Sequence, residues 1–215
     1  MTRPGEALWL ALRDLYANSW RLVAVNAALG VIVAAIAVAA LATRAALVLL
    51  VLAGPVVAAL VHCAVTLVRT ENLRLADALE GLRLHWRRGL QLGAAGTGIA
   101  LLGVVAIRFY GNSPLAWPLA FVTGYAVALL GVYQVVLWTL AIAEPARPVR
   151  AVARDAAELV ARRPAATAGI GLALILVNAV GIAAAVMPFL TLTVAYSFVA
   201  AAHFVLPRPI LEEPA

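Results

Sequence analysis

Three histidines and one cysteine are the side chains in this sequence best suited to chemistry: His62, His85, His203 and Cys63. An imidazole can ligate a metal, relay a proton or act as a base near neutral pH. His62 and Thr66 stand at i and i+4 and so share a face of any helix that carries them. The three histidines are nevertheless scattered, without carboxylate neighbours, whereas a zinc site gathers three or four ligands closely. No HExxH, CxxC, nucleophile elbow or phosphate-cradling glycine loop occurs. Cys63 lies inside an apolar run and, as the lone cysteine, forms no intrachain disulfide. The histidines are expected to bond between helices or to sit at an interface. The chain reads as a non-enzymatic protein without cofactor or metal.

A second group is polar but uncharged and lies within apolar runs: Asn26, Gln134 with Tyr133, Asn178, Thr191, Thr193, Tyr196 and Ser197. Ion-coupled carriers keep an ionisable group in mid-membrane, where a charge costing about 2.5–3.5 kcal/mol persists only for function. Here all ten acidic residues fall in segments outside those runs. Asn26, His62, Gln134, Asn178, Tyr196 and His203 form a candidate polar seam. It has two readings: hydrogen bonds between helices, or recognition of an uncharged, hydroxyl-rich solute.

The elements that would position these groups are marked by arginine. Residues 74–88 place Leu75, Leu79, Leu82 and Trp86 on one helical stripe and Arg74, Asp77, Glu80, Arg83 and Arg87 opposite. This pattern predicts a helix lying flat on a membrane surface, stripe down. Residues 6–21 repeat it, with Leu8, Leu12, Leu15 and Ser19 on one side and Trp9, Tyr16 and Trp20 beside them. Such rings favour the headgroup layer. Residues 148–163 do so again, with Val149, Val152, Ala156, Leu159 and Val160 facing one way. Arg83, Arg87, Arg88, Arg150, Arg154 and Arg162 are candidate lipid or partner contacts, each worth about 1 kcal/mol against anionic headgroups.

Between these segments the chain is too apolar for a soluble fold. Of 215 residues 65% are hydrophobic and 12% charged, with mean hydropathy +1.02, against about 25% charged in soluble domains. Six runs are expected to span a bilayer: 22–42, 45–68, 90–107, 119–143, 165–186 and 189–206. The first is too long for the core of a cleaved signal. Gly54-Pro55 predicts a kink in the second, and Met187-Pro188 a break before the last. The net charge of +6 comes from arginine alone, for lysine is absent. That bias fits a GC-rich bacterial genome. Fourteen of the sixteen arginines precede the first span, lie between the second and third or the fourth and fifth, or follow the sixth; only Arg44 and Arg108 remain. The positive-inside rule then places both termini in the cytoplasm. Membrane orientation accounts for the basic residues, so nucleic acid is not an expected partner.

The expected architecture is all-α: a polytopic membrane protein of six transmembrane helices in three hairpins, each preceded by an amphipathic cytoplasmic interfacial helix. It forms one domain over residues 1–207, in repeat-like units of about 6–68, 74–143 and 147–206; residues 208–215 read as a disordered tail. The second and third units share Asp77-Ala-Leu-Glu80 and Asp155-Ala-Ala-Glu158, each followed by a double arginine. Glycines crowd the third span (Gly89, Gly93, Gly96, Gly98, Gly103) and mark the fifth (Gly169, Gly171, Gly181), permitting close helix packing or self-association.

Gly54-Pro55-Val-Val-Ala-Ala-Leu60, Val68-Arg69-Thr-Glu71 and the run Asp77-Ala-Leu-Glu-Gly-Leu-Arg-Leu-His-Trp-Arg-Arg88 together resemble the YesL-like family of bacterial membrane proteins. Leu79 and Leu82 stand where that family usually carries phenylalanines. The family has no assigned biochemical activity. Its members often accompany carbohydrate-uptake systems, so the resemblance implies a link to sugar transport and carries over no binding residue. The expected function is an accessory or scaffold component of the bacterial cytoplasmic membrane, associated with solute uptake. Its partners would be anionic lipid and a transporter subunit or a second copy. The alternative is a small uncharged-solute channel or facilitator.

Overall fold

The computed structural model describes residues 2–183 and 187–206, and every regular element among them is helical. Residues 184–186 and the tail from residue 207 lie outside the described residues, as does the side chain of Thr191; Met187-Pro188, the expected break, falls at the start of the last helix. In chain order the elements are α1 (Pro4–Ala17), α2 (Ser19–Ala42), a 3₁₀ segment (Arg44–Ala53), α3 (Gly54–Thr70), α4 (Leu75–Gly111), α5 (Trp117–Ala143), α6 (Val149–Arg162), α7 (Pro164–Ala183) and α8 (Met187–Val205). Five stretches are long and apolar enough to cross a membrane: Trp20–Ala42, Arg44–Thr70, Leu75–Gly111, Trp117–Ala143 and Pro164–Gly181. A shorter apolar stretch, Leu192–Val205, follows in α8.

The middle of the bundle is built from α3 and α8. Ala58, Leu60, Val61, Cys63, Ala64 and Leu67 of α3 are buried, as are Ala195, Val199, Ala200, Ala202 and Phe204 of α8. Many of these are alanines, which let backbones approach where the surroundings offer no hydrophobic contrast. Around this pair α4 packs on α3, α1 and α7 on α8, and α5 on both.

The second apolar stretch differs from the expected kinked α-helix. Its first ten residues form the 3₁₀ segment, and α-helix begins at Gly54. Pro55 then occupies the first turn, where its missing N–H and fixed φ are tolerated. The change of helix type comes where α4 crosses. A Cβ on Gly54 would stand 2.3 Å from the Gly89 carbonyl oxygen, and one on Gly89 would stand 2.7 Å from that of Gly54. Only glycines permit this backbone contact. Gly93 meets Val51 and Gly54 in the same place. Gly96 and Gly98 have nothing within 4 Å.

The amphipathic segment at residues 74–88 is not a separate helix. It is the beginning of α4, which continues unbroken for 37 residues. The Asp77 carboxylate accepts the Arg74 backbone N–H at 2.8 Å and fixes its start. A helix without a break cannot lie flat and then stand upright, so the flat placement of this segment gives way to a continuous rod. Gly81, His85 and Gly89 are buried against the protein, while Leu75, Leu79 and Trp86 of the apolar stripe are on its surface. A Cβ on Gly81 would strike the His62 side chain at 2.7 Å. The small residues, not the leucines, form the packing face. α1 behaves alike, burying Ala7 and Ala11 and exposing Trp9, Leu12 and Tyr16; it ends at Ala17, and Asn18 separates it from α2. α6 follows the expected pattern, with Val152 and Ala156 buried.

Candidate functional site

The six residues of the candidate seam are held in separate settings. The Asn178 side-chain amide donates to Ser197 Oγ at 2.7 Å and to the Leu174 carbonyl at 2.8 Å, while Ser197 Oγ donates to the Thr193 carbonyl. This ties α7 to α8. The Tyr196 hydroxyl donates to the Leu8 carbonyl at 3.0 Å, tying α8 to α1. Tyr133 does the same from α5 to the Ala153 carbonyl of α6. Asn26 is 2% exposed, and neither atom of its amide has a hydrogen-bond partner among the described residues. Gln134 Oε1 and Thr167 Oγ1 are likewise unpartnered.

His203 overturns the expectation that the histidines lack carboxylate neighbours. Its Nε2 lies 2.8 Å from Asp14 Oδ2, and both side chains are almost wholly buried between α1 and α8. The Thr2 hydroxyl donates to the His203 carbonyl beside them. Burial pushes the Asp14 carboxyl up, but hydrogen bonding and charge from His203, then from Arg13, outweigh it and hold the group below its ordinary value of 3.8. The partners are 189 residues apart, so no local signal joins them.

Arg88, expected among the lipid contacts, turns into the protein. Its Nη1 donates to the Ala141 carbonyl at 2.7 Å and to that of Glu144 at 3.1 Å, and its Nη2 donates to the Arg147 carbonyl. Arg69 Nη2 donates to the Ala143 carbonyl at 3.2 Å. Two guanidinium groups thus satisfy the orphan carbonyls at the C-terminus of α5 and meet the negative end of its dipole. Arg147 closes the following turn with Glu144 at 2.7 Å and Asp155 at 2.6 Å. Hydrogen bonds to those carboxylates raise its pKa. Asp77 and Asp155, alike in the repeated string, therefore do different work: one caps its own helix, the other anchors a turn. Arg83, Arg87, Arg150, Arg154 and Arg162 are exposed. Arg87 stacks on Trp86, with 5.1 Å from guanidinium to ring centroid, and Arg162 pairs with Glu158.

His62 and His85 are brought together. Their ring centroids are 5.2 Å apart, tilted by 44°, because Gly81 leaves room for the His62 side chain. A cleft of about 210 Å³ opens beside them, lined by His62, Val65, Thr66 and Arg69 of α3, Leu84 and His85 of α4, and Ile142, Ala143 and Pro145 at and just past the end of α5. Neither imidazole has a hydrogen-bond partner among the described residues. No group of three or more His, Cys, Asp or Glu among those residues could hold a metal. The cleft is therefore a largely apolar concavity that carries unengaged donors, with Arg69 in its wall. Only the four-residue spacing of His62 and Thr66 hinted at it; what brings His85 opposite is the glycine-lined crossing of α3 and α4.

No family model, curated protein or solved structure matches this chain.

Proposed function

We propose that this chain is a non-enzymatic accessory or scaffold component of a bacterial cytoplasmic membrane, associated with solute uptake, carbohydrate included. We read it as six spans with both termini cytoplasmic. Arg88 and Arg108 are twenty residues apart on one helix, which at 1.5 Å per residue is about 30 Å, the thickness of the hydrocarbon layer. With those arginines at the two interfaces, the first three to four turns of α4 project into the cytoplasm.

The observation that carries the reading is the outer face of that projection. Leu79 is 62% exposed and Trp86 46%, with Leu75 in line and Arg83 and Arg87 alongside. A row of large apolar side chains flanked by arginine is the composition of a protein-binding surface. The facilitator reading has weaker support, because Asn178, Tyr196 and His203 are each committed to a bond between helices. A photo-crosslinking side chain at Leu79 tests the proposal in native membranes. It should yield a stoichiometric adduct with a subunit of a solute-uptake system, while the same probe at Phe121 should not. Adducts with lipid alone, or with a second copy alone, would overturn it.

A further inference from the structure

We propose that the cleft between α3, α4 and the end of α5 binds a phosphate oxyanion through Arg69, the Thr66 hydroxyl, His62 and His85. This goes beyond the scaffold reading and does not depend on it. Four hydrogen-bonding side chains from two helices line one cavity of about 210 Å³, large enough for a phosphate group together with part of the molecule that carries it. Arg69 makes one hydrogen bond, to the Ala143 carbonyl through Nη2, so most of its fork of donors remains available to an anion. The imidazoles are unengaged, and each presents a ring nitrogen able to donate.

The set fits phosphate better than the other small ligands. For a metal, the described residues offer no third ligand beside the two imidazoles. A carboxylate presents two oxygens in one plane and suits a single planar fork such as that of Arg69. Phosphate, with oxygens on several sides, can engage donors from both helices at once. The charged groups that face His62 are Asp77 and Glu80 of α4 and Arg69 of α3; Arg88 of α4 faces His85. The rest of the wall is apolar: Val65 of α3, Leu84 of α4, Ile142 and Ala143 of α5, and Pro145 just past it. A phosphate at this end of the bundle has two sources, a lipid headgroup or a soluble phosphorylated solute.

The test uses the full chain, first in a neutral detergent and then in nanodiscs. Inorganic phosphate, titrated against acetate at matched ionic strength, should raise the thermal midpoint by about 5 °C at a hundredfold excess over Kd. His85→Asn and Thr66→Val should each weaken the apparent affinity about tenfold, while Arg163→Gln, at an exposed site away from the cleft, leaves it unchanged. Arg69 also caps α5, so the two milder variants carry the test. If phosphate is inert in detergent but nanodiscs of phosphatidylglycerol stabilise the wild type over nanodiscs of a neutral, phosphate-free glycolipid, with the same loss in the variants, the ligand is a headgroup. No stabilisation by either source, equal stabilisation by acetate, or variants that bind like wild type would each overturn the proposal.

Discussion

Single side chains in this protein sort by whether the bundle has given them a partner. Asn178 and Asn26 are the same residue type in similarly apolar stretches, yet one is bonded to Ser197 and the other to nothing described. Asn178→Leu should therefore lower stability by about 0.6 kcal/mol, as bonds between helices in a membrane do. Asn26→Leu should raise it by about 1–3 kcal/mol, because it removes a buried amide without a partner. Thermal midpoints of the two purified variants, moving in opposite directions, are the check. Asp14 and His203 give a pH-dependent counterpart. The Asp14 pKa is depressed in the fold, so the stability it contributes is complete above its ordinary value near 3.8 and is lost as pH falls through the depressed value. Amide protection along α1, taken relative to the intrinsic exchange rate at each pH, should hold down to about pH 4 and fall below it. In His203→Ala it should be low even at pH 7, with a loss of about 1.5–3 kcal/mol for a hydrogen bond to a charged group. Neither partner could be assigned from the sequence, since composition around Asp14 records nothing of a residue 189 positions away. Arg87 and Arg88 carry the same lesson: two adjacent arginines diverge by about 100° on a helix, and the fold sends one to solvent and the other to the α5 carbonyls.

The elements show why the helices were legible and their packing faces were not. Length, apolar runs and arginine spacing locate nearly every helix, and α6 buries the side its periodicity marks. α1 and α4 do the reverse of what a water-soluble helix would do. Within a span lipid is as apolar as leucine, so close approach of small residues decides which face packs, and Gly89 and Gly93 of α4 meet α3 in this way. Ala7 and Ala11 on α1 and Gly81 on α4 extend the same small-residue packing beyond the apolar stretches. The break between residues 88 and 90 was expected because charge stops there, but nothing in that stretch ends a helix: Gly89 is a contact point and not a cap. Gly54→Ala or Gly89→Ala should accordingly force α3 and α4 apart, since the nearest atoms are backbone and cannot rotate away. A loss of at least about 1–3 kcal/mol is expected, read as a lower melting temperature and earlier aggregation in detergent. Gly96→Ala and Gly98→Ala, which face open space, should leave the monomer unchanged or slightly more stable through helix propensity. If they alter only the oligomeric state, the outward glycines serve association between copies.

Across the whole molecule the continuous α4 sets the geometry that any proposed threading must satisfy. Thirty-seven helical residues measure about 55 Å, whereas the hydrocarbon layer is about 30 Å. An upright α4 must then leave about 25 Å outside, some sixteen or seventeen residues, and the arginine-bearing stretch from Leu75 to the neighbourhood of Gly89 has that length. Arg88 and Arg69 join this level to the end of α5 through the Ala141 and Ala143 carbonyls, so the proposed cytoplasmic boundary runs through α3, α4 and α5 together. On the proposed threading the cleft of His62 and His85 would sit at that boundary, within reach of headgroups and of cytoplasmic solutes alike. The alternative, a strongly tilted α4 wholly immersed in lipid, would place Asp77, Glu80, Arg83 and Arg87 in hydrocarbon at about 2.5–3.5 kcal/mol for each charge near mid-membrane. Single cysteines separate the two. In a Cys63→Ala background, Ala146→Cys and Glu80→Cys should react with an impermeant maleimide only from the cytoplasmic side, and Asn112→Cys only from the opposite side. All three original residues are exposed in the fold, so a failure to label reports the membrane and not burial. Protection of Glu80→Cys from both sides would put the first turns of α4 in lipid and remove the docking face on which the scaffold proposal rests. Labelling of Asn112→Cys and Ala146→Cys from the same side would remove the alternation of arginine that orients the chain.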